Sequence, residues 1–345
     1  MGTGCHARQN KARALLRIPL GQPTPRSTSE RWKTDWPPCA PPSRLATFAL
    51  SSPMSDNEIH ALINLIDDPD DTVYTQVRDR IISLGAPAVA ALERAWETDD
   101  LGDLFRNRIE DILHTIHLDV TYQRLKTWAA GETQDLLEGA LIVARYRYPE
   151  LDEHRVRSKL AALRQDIWLE LNDELTPFEK VRVFNHVFFQ AHGFKGNKRN
   201  YHAPQNSYIN EVLDSKQGNP LSLSIIYQVI ASELGLPLRG VNLPNHFVLA
   251  WTDTGGVSPG LLGHPGVLFY VNTFSQGDIL GKNEILGFLK KLNLPPQESF
   301  FVPCSTADMV RRLLNNLLNS YQKQQDSDRA DDMRRLLTAL DTPSA

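Results

Sequence analysis

The sequence predicts an α+β fold that is mainly helical, with helices flanking a small antiparallel sheet. Three observations lead to this prediction. Apolar residues recur at helical spacing through residues 56–118 and again through 309–340, as in helices that bury one face. Segment 220–234 begins with a proline and is closed by a glycine, which is typical of a helix. Two segments rich in β-branched and aromatic residues, 247–251 and 267–274, then indicate strands on either side of a Gly/Pro-rich loop.

The composition limits the size, the partners and the compartment. The 345 residues suffice for one large domain with attachments, or for two domains. No run approaches the ~18 consecutive apolar residues of a membrane span, so we expect no membrane partner. The net charge of −4 disfavours a nucleic-acid binder, which usually presents a basic face. Beyond the N-terminal segment the sequence has one cysteine, Cys304, which indicates neither a disulfide nor a zinc site and favours a cytoplasmic protein.

Residues 1–53 differ from the rest of the chain. They hold eight of its 37 basic residues, only two acids, and eight of its 22 prolines. Such a segment cannot bury enough apolar surface to offset the entropy lost on ordering, so we expect it to be disordered. It lacks the apolar core of a secretory signal, and only residues 11–20 hint at the amphipathic pattern of a transit peptide. We favour a third interpretation, in which Met54 is the natural start and residues 1–53 are an upstream extension.

Residues 54–118 are predicted to form two antiparallel helix pairs. The first helix carries apolar residues at i, i+3, i+4 and i+7, namely Ile59, Leu62, Ile63 and Ile66. The DDPDD turn ends this helix, because proline cannot continue it and aspartate favours helix caps. The phrase LGAPAVAAL resembles a HEAT-type repeat. Two pairs are few for a free-standing solenoid, so a helical cap docked on the next domain stays an open alternative.

Residues 119–303 are predicted to form the core domain, and residues 304–345 a C-terminal helical hairpin. The helical pattern continues through 136–146 and 181–189. The segment 193–209 is rich in glycine, asparagine and tyrosine, a composition that favours an irregular, hydrogen-bonded loop. The helix and the two strands described above follow this loop. The predicted core is therefore one helix packed beside a small sheet.

Several of these segments, taken in order, resemble the bacterial SirB-type transglutaminase-like family: GFKGN (193–197), NSYINEVL (206–213), GNPLSLSIIY (218–227), LGLPLRGVNLPNHF (234–247) and VNTFSQG (271–277). The resemblance covers roughly residues 119–340 and implies a papain-like transglutaminase core. In active members of this superfamily, a cysteine at a helix N-terminus is activated by a histidine that a carboxylate or an amide orients. The helix dipole assists by lowering the pKa of the thiol.

The resemblance places the cysteine position at Pro220, the histidine at His246 and the orienting residue at Asn272. An amide can orient a histidine, but proline has no nucleophilic atom. Loss of the nucleophile from such a triad reduces the rate by a factor on the order of 10⁶. We therefore expect a non-catalytic protein, without metal or cofactor, whose former active-site cleft binds a peptide or another protein. The expected cleft residues are Tyr201, Asn206, Tyr208, Asn219, Pro220 and Asn245.

A second function stays open, a hydrolase or amide-processing enzyme that uses Ser222 as its nucleophile and His246 as its base. Ser222 and Ser224 lie in the first turns of the predicted helix. A serine hydroxyl is far less acidic than a thiol, so the helix end cannot ionise it. Both hydroxyls are expected to form local hydrogen bonds instead. Cys304 is interpreted as a buried or incidental thiol rather than a displaced nucleophile.

Three further histidines, His186, His192 and His202, are candidate metal ligands. Their spacing matches no regular ligand motif such as H-E-x-x-H. We interpret them as structural or loop histidines, and the sequence predicts no metal site.

Overall fold

The computed structural model describes residues 56–97, 102–252 and 266–341. The predictions for residues 1–53 lie outside the described residues. The predicted fold class is confirmed, because helices dominate and the strands form two small sheets.

Four helices build the N-terminal part of the described chain: α1 (Asp56–Asn64), α2 (Asp71–Leu84), α3 (Ala86–Trp96) and α4 (Asp103–Ala130). Asp70 caps α2, since its carboxylate accepts a hydrogen bond from the backbone N–H of Thr72 at 2.8 Å. Gly85 separates α2 from α3 with a φ of 63°, a left-handed value that glycine adopts without strain. The apolar faces of all four helices share one hydrophobic cluster. The two helix pairs are therefore present, while their HEAT-type identity stays a prediction.

The expected boundary between residues 118 and 119 falls inside a helix. α4 is 28 residues long and continues through this point without a break. What changes here is the packing: Ile116 belongs to the N-terminal cluster, whereas Leu118, Leu125 and Trp128 belong to the main core. One helix therefore contributes side chains to both clusters, and no linker separates them.

Eight further helices complete the described part of the chain: α5 (Leu136–Arg147), α6 (Glu153–Glu170), α7 (Pro177–Asn185), α8 (Ile209–Ser215), α9 (Pro220–Glu233), α10 (Lys282–Lys291), α11 (Thr306–Gln324) and α12 (Ser327–Thr338). α7 continues as a short π-helix, His186–Ala191. The central helix is α9, in which every residue from Pro220 to Ala231 is buried. Its sequence is apolar on all sides, as expected of a helix that is surrounded by others.

The sheet that positions the site is an antiparallel meander of four strands: β3 (Leu238–Leu243), β4 (His246–Thr252), β5 (Val267–Asn272) and β6 (Asp278–Leu280). A separate parallel pair joins β1 (Lys195–Gly196) to β2 (Gln217–Gly218). Alternate residues of β4 enter different clusters, because successive side chains of a strand point to opposite faces. Phe247 and Leu249 join the main core with α9, whereas Val248 and Ala250 join a smaller cluster with α10. The sequence predicted β4 and β5 but not β3 and β6.

The C-terminal helices α11 and α12 form the predicted hairpin, and they pack into the main core rather than beside it. Leu313 and Leu317 of α11 and Met333 and Leu336 of α12 are all buried in that core. Residues 54–345 accordingly cluster as one unit. None of the helices in the described ranges is both long and apolar enough to cross a membrane.

Candidate functional site

The structure brings together two of the predicted site residues, His246 and Asn272. Strands β3 and β4 are joined by the two-residue turn Pro244–Asn245, in which Asn245 has a φ of 56°. This turn makes His246 the first residue of β4, and Asn272 is the last residue of the neighbouring antiparallel strand β5. His246 Nε2 donates a hydrogen bond to Asn272 Oδ1 at 3.1 Å. The two residues that the resemblance assigns to the histidine and its orienting amide are therefore hydrogen-bonded, while their roles stay a prediction.

The surroundings of His246 favour the neutral imidazole. Burial lowers its pKa from the ordinary value, the hydrogen bond to Asn272 acts in the opposite direction, and the nearby positive charge of Arg312 lowers it further. The ring of Phe288, on α10, lies 5.7 Å from the imidazole between centroids. A neutral imidazole that donates from Nε2 has an acceptor at Nδ1. His246 therefore has the protonation state of a base or of a hydrogen-bonding group.

Asn272 is held in place by the turn that follows β5. Its Nδ2 donates to Ser275 Oγ at 3.2 Å, and the backbone N–H of Ser275 donates to its Oδ1 at 3.3 Å. These two contacts fix the amide so that Oδ1 faces His246. Asn272 thus has the orienting geometry expected from its place in the sequence.

The N-terminus of α9, where the resemblance places the nucleophile, is closed by a hydrogen-bonded capping box. Asn219 is the N-cap of α9 and Pro220 is its first residue. Ser222 donates its backbone N–H to Asn219 Oδ1 at 2.9 Å, and the backbone N–H of Asn219 donates to Ser222 Oγ at 3.0 Å. Ser222 is only 3% exposed. Its hydroxyl therefore completes the reciprocal cap that Ser and Asn favour at this position.

Ser224, two residues further along the helix, also forms hydrogen bonds. Its Oγ donates to the carbonyl oxygen of Pro220 at 2.8 Å and lies 2.8 Å from Thr273 Oγ1. Thr273 directly follows Asn272, so this contact ties the end of β5 to the first turn of α9. In the part of the chain that the structure describes, no hydrogen bond joins Ser222 or Ser224 to His246. The geometry gives no support to a serine nucleophile.

A polar cavity of about 760 Å³ opens beside the N-terminus of α9. Three of the predicted cleft residues line it, Tyr201, Asn219 and Asn245. Asn245 reaches it from the turn that precedes His246. The remaining lining residues are polar or cationic except for one proline, and most of them lie on α11: His202, Pro244, Arg312, Asn315, Asn316, Asn319, Ser320 and Lys323.

The other three predicted cleft residues are buried and do not line the cavity. Tyr208 is only 1% exposed and its hydroxyl lies 2.7 Å from that of Tyr321, so it is a core residue and not a cleft residue. Asn206 is also buried, and its Nδ2 donates to the carbonyl oxygens of Asn200 and Tyr201 at 2.7 and 3.0 Å. Asn206 therefore shapes the loop that presents Tyr201. Pro220 is buried in the first turn of α9.

Sequence reasoning missed the contribution of α11 to this cavity. Its lining residues are spaced as i, i+3, i+4, i+7 and i+11, which places them on one face of the helix: Arg312, Asn315, Asn316, Asn319 and Lys323. This spacing was visible in the sequence. A polar stripe on an amphipathic helix usually faces solvent, however, and only the fold shows that this one faces a cavity.

The remaining candidate residues have separate structural roles. Burial raises the pKa of the Cys304 thiol to about 12, so it carries almost no thiolate at neutral pH. His192 pairs with Asp166 at 2.8 Å, His186 with Gln190 at 3.0 Å, and His202 with Lys323 at 2.7 Å. Within the described ranges, no three His, Cys, Asp or Glu side chains are grouped closely enough to hold a metal ion.

Comparison with a family model gives a match at the level of a superfamily. Residues 154–315 match the model of the Transglutaminase-like superfamily. The matched range contains α9, His246 and Asn272, the elements on which the resemblance rests. The transglutaminase-like assignment is therefore supported, while the SirB-type assignment stays a prediction.

Curated proteins from bacteria and mammals are similar to parts of this chain. A UPF0162 protein from Xylella fastidiosa is 37% identical over 131 residues, which cover 36% of this chain and 45% of that protein. A UPF0162 protein from Vibrio cholerae is 28% identical over 158 residues, which cover 46% of this chain and 54% of that protein. Human F-box only protein 21 is 35% identical over 157 residues, covering 42% of this chain and 24% of that protein. The chain thus spans about half the length of the UPF0162 relatives, and no solved structure matches it significantly.

Proposed function

We propose that this protein is a non-catalytic member of the transglutaminase-like proteins, and that its former active-site cleft binds a peptide or a protein segment. One observation carries the proposal: His246 and Asn272 form a hydrogen-bonded pair, while the first residue of α9, which the resemblance assigns to the nucleophile, is a proline. The first turn of α9 offers Ser222 and Ser224 as replacements, and both hydroxyls are engaged in contacts other than with His246.

The polar cavity, which Asn219 and Asn245 line but His246 and Asn272 do not, supports a binding role. Its lining combines three asparagines and two cations of α11 with Tyr201 and the turn Pro244–Asn245. Asparagine side chains carry both donors and acceptors, as peptide groups do, so they can pair with an extended chain. Clefts that keep a few convergent polar groups are the usual sites of recognition.

The alternative proposal, a serine-dependent hydrolase that uses Ser222 and His246, has less support. Ser222 Oγ would have to leave the capping box, and the backbone N–H of Asn219 would then keep only its longer hydrogen bond, to the carbonyl oxygen of Asn206 at 3.4 Å. The loss of the shorter hydrogen bond costs about 0.5–1.5 kcal/mol. No compensating contact toward His246 is present among the described residues.

Affinity capture with point variants tests the binding proposal. Truncation of residues 54–118 would cut α4 in the middle, so substitutions are the cleaner change. We expect one or more proteins captured by the wild type to be lost with Tyr201→Ala, Asn245→Ala and His246→Ala. The control Lys126→Ala changes an exposed residue of α4 and should retain them. Equal capture by the wild type and all three site variants would contradict the proposal.

A further inference from the structure

The cavity beside α9 is an electropositive site in an acidic unit. Residues 54–345 carry 29 of the 37 basic residues of the chain and 39 of its 41 acidic residues, so their net charge is negative. Yet the lining includes Arg312 and Lys323 and no aspartate or glutamate. A local reversal of charge of this kind attracts a ligand of opposite sign.

Arg312 is a partly buried cation with neutral partners. Its Nη1 donates to Asn242 Oδ1 at 2.6 Å and to the carbonyl oxygen of Leu243 at 3.3 Å. Burial lowers its pKa, which means that its surroundings disfavour the charge. No ion pair with a carboxylate is formed by Arg312 within residues 56–97, 102–252 and 266–341. A guanidinium that is partly removed from water gains most from a charged acceptor, which none of its own chain's described residues supplies.

The second cation lies at the other end of the same helical stripe. Lys323 Nζ lies 2.7 Å from His202 Nε2, and Lys323 forms no ion pair with a carboxylate among the described residues. Eleven residues separate Lys323 from Arg312, which corresponds to about 16 Å along a helix. Three asparagines, Asn315, Asn316 and Asn319, lie between them on the same face. An extended peptide covers this distance with about five residues.

From this arrangement we infer that the site binds an extended acidic peptide segment with carboxylates about five residues apart, one at Arg312 and one at Lys323. The inference rests on the proposed peptide-binding function and names the chemistry of its ligand. The asparagines between the cations hydrogen-bond the peptide groups between the carboxylates. A polyanion such as a nucleic acid fits less well, because two cations neutralise too little of its charge.

Fluorescence anisotropy with two matched peptides tests this inference. The probe is a fluorescein-labelled hexapeptide, amidated at its C-terminus, with glutamate at both end positions. Its partner peptide has glutamine there. The glutamate peptide should bind at least tenfold more tightly than the glutamine peptide, because each carboxylate adds a charge-assisted hydrogen bond.

Variants then locate the contacts. Arg312→Gln and Lys323→Gln should each weaken binding of the glutamate peptide about fivefold to tenfold. Lys323 is exposed, so its substitution leaves the core untouched. Asn319→Asp should also weaken binding, since it adds a negative charge to the stripe. Lys126→Gln, which removes an exposed positive charge on α4, should have no effect.

Several results would overturn the inference. Equal binding of the two peptides, unaffected by Arg312→Gln, would leave peptide binding in place and remove the requirement for acid. Tighter binding of an oligothymidine probe than of the glutamate peptide would assign the site to nucleic acid. If neither peptide binds at millimolar concentration, the inference fails, while the capture experiment with Tyr201→Ala, Asn245→Ala and His246→Ala still decides the proposed function separately.

Discussion

Two partly buried histidines lie in different regions of this molecule and have partners of different charge. His246, at the start of β4, donates to the neutral amide of Asn272 at 3.1 Å. His114, on α4, lies 2.9 Å from the carboxylate of Asp332 on α12, which also accepts a hydrogen bond from Tyr146 at 2.6 Å. Burial lowers the pKa of His246, whereas the hydrogen bond to Asp332 raises the pKa of His114.

This difference shows that a charged partner outweighs burial at His114, whereas burial outweighs the neutral partner at His246. A carboxylate stabilises the imidazolium, so His114 and Asp332 form an ion pair that joins α4 to the C-terminal hairpin. An amide cannot stabilise a positive charge in the same way. His246 therefore stays neutral near pH 7 and can exchange hydrogen bonds with a ligand. The first pair is structural, and the second belongs to the candidate site.

The largest effect on stability is expected at Asp332, which is only 9% exposed and accepts hydrogen bonds from His114 and Tyr146. Asp332→Asn removes the charge while leaving Tyr146 and His114 in place. Because the loss of one member of a buried polar group leaves the others poorly paired, we expect the free energy of unfolding to fall by about 3 kcal/mol. Urea denaturation measures it.

A neighbouring aspartate supplies the control. Asp331 is exposed, and its one ion pair among the described residues is with Arg334, one turn along the same helix. Asp331→Asn should change the free energy of unfolding by about 0.5 kcal/mol or less, as exposed pairs usually do. Similar losses for the two variants would mean that the cluster around Asp332 has no special role.

The neutral partner of His246 can be replaced by a charged one. Asn272→Asp puts a carboxylate where His246 now has an amide, and should raise the pKa of His246 by about one to two units. A two-dimensional NMR titration of the imidazole resonances measures this, with the His246→Gln spectrum identifying the signal. Asn172→Asp, an exposed change elsewhere, should leave the pKa unaltered. An unshifted His246 pKa in Asn272→Asp would contradict the pairing seen in the structure.

The smallest effect is a pH dependence of stability with opposite signs at the two histidines. The folded pKa of His114 lies above its ordinary value of 6.5, so its contribution is fully present below that pH and is lost as pH rises through the raised pKa. The folded pKa of His246 lies below 6.5, so its contribution is present above that value and is lost as pH falls. Asp111 and Arg329 also act on His114, in opposite directions.

Urea denaturation between pH 5 and 8 tests the two signs. Subtracting the curve of His114→Gln from that of the wild type should give a contribution that decreases with pH. The same subtraction for His246→Gln should give one that increases. Since the side chain of His114 is nearly half exposed, we expect its contribution to the free energy of unfolding to be no more than about 1 kcal/mol. A contribution of the same sign from both histidines would show that their partners do not set their charge.

Much of the candidate site could be predicted because its signals are local. Pro220 and the glycine after Leu234 mark both ends of α9, and the helix begins and ends within one residue of the predicted positions. The strand segments containing His246 and Asn272 were recognisable from their β-branched and aromatic residues. Their pairing then followed from the resemblance.

The parts that could not be predicted depend on long-range packing. Asp332 lies 218 residues from His114, and its segment has the composition of an exposed helix. β3 contains an arginine, a glycine and an asparagine, which obscure the apolar alternation of a strand. Tyr208 was expected at the cleft, but its hydroxyl forms a hydrogen bond with that of Tyr321 inside the core. Only the fold shows which polar groups are paired internally.

The central claim is that His246 and Asn272 face no nucleophile. Treatment of the native protein with a fluorophosphonate, followed by peptide-level mass spectrometry, tests it most directly, with a known serine hydrolase in the same tube as a positive control. We predict no adduct on Ser222 or Ser224, since both hydroxyls are held by other groups. A stoichiometric adduct on Ser222 that disappears in His246→Ala would contradict the claim and make the protein an enzyme.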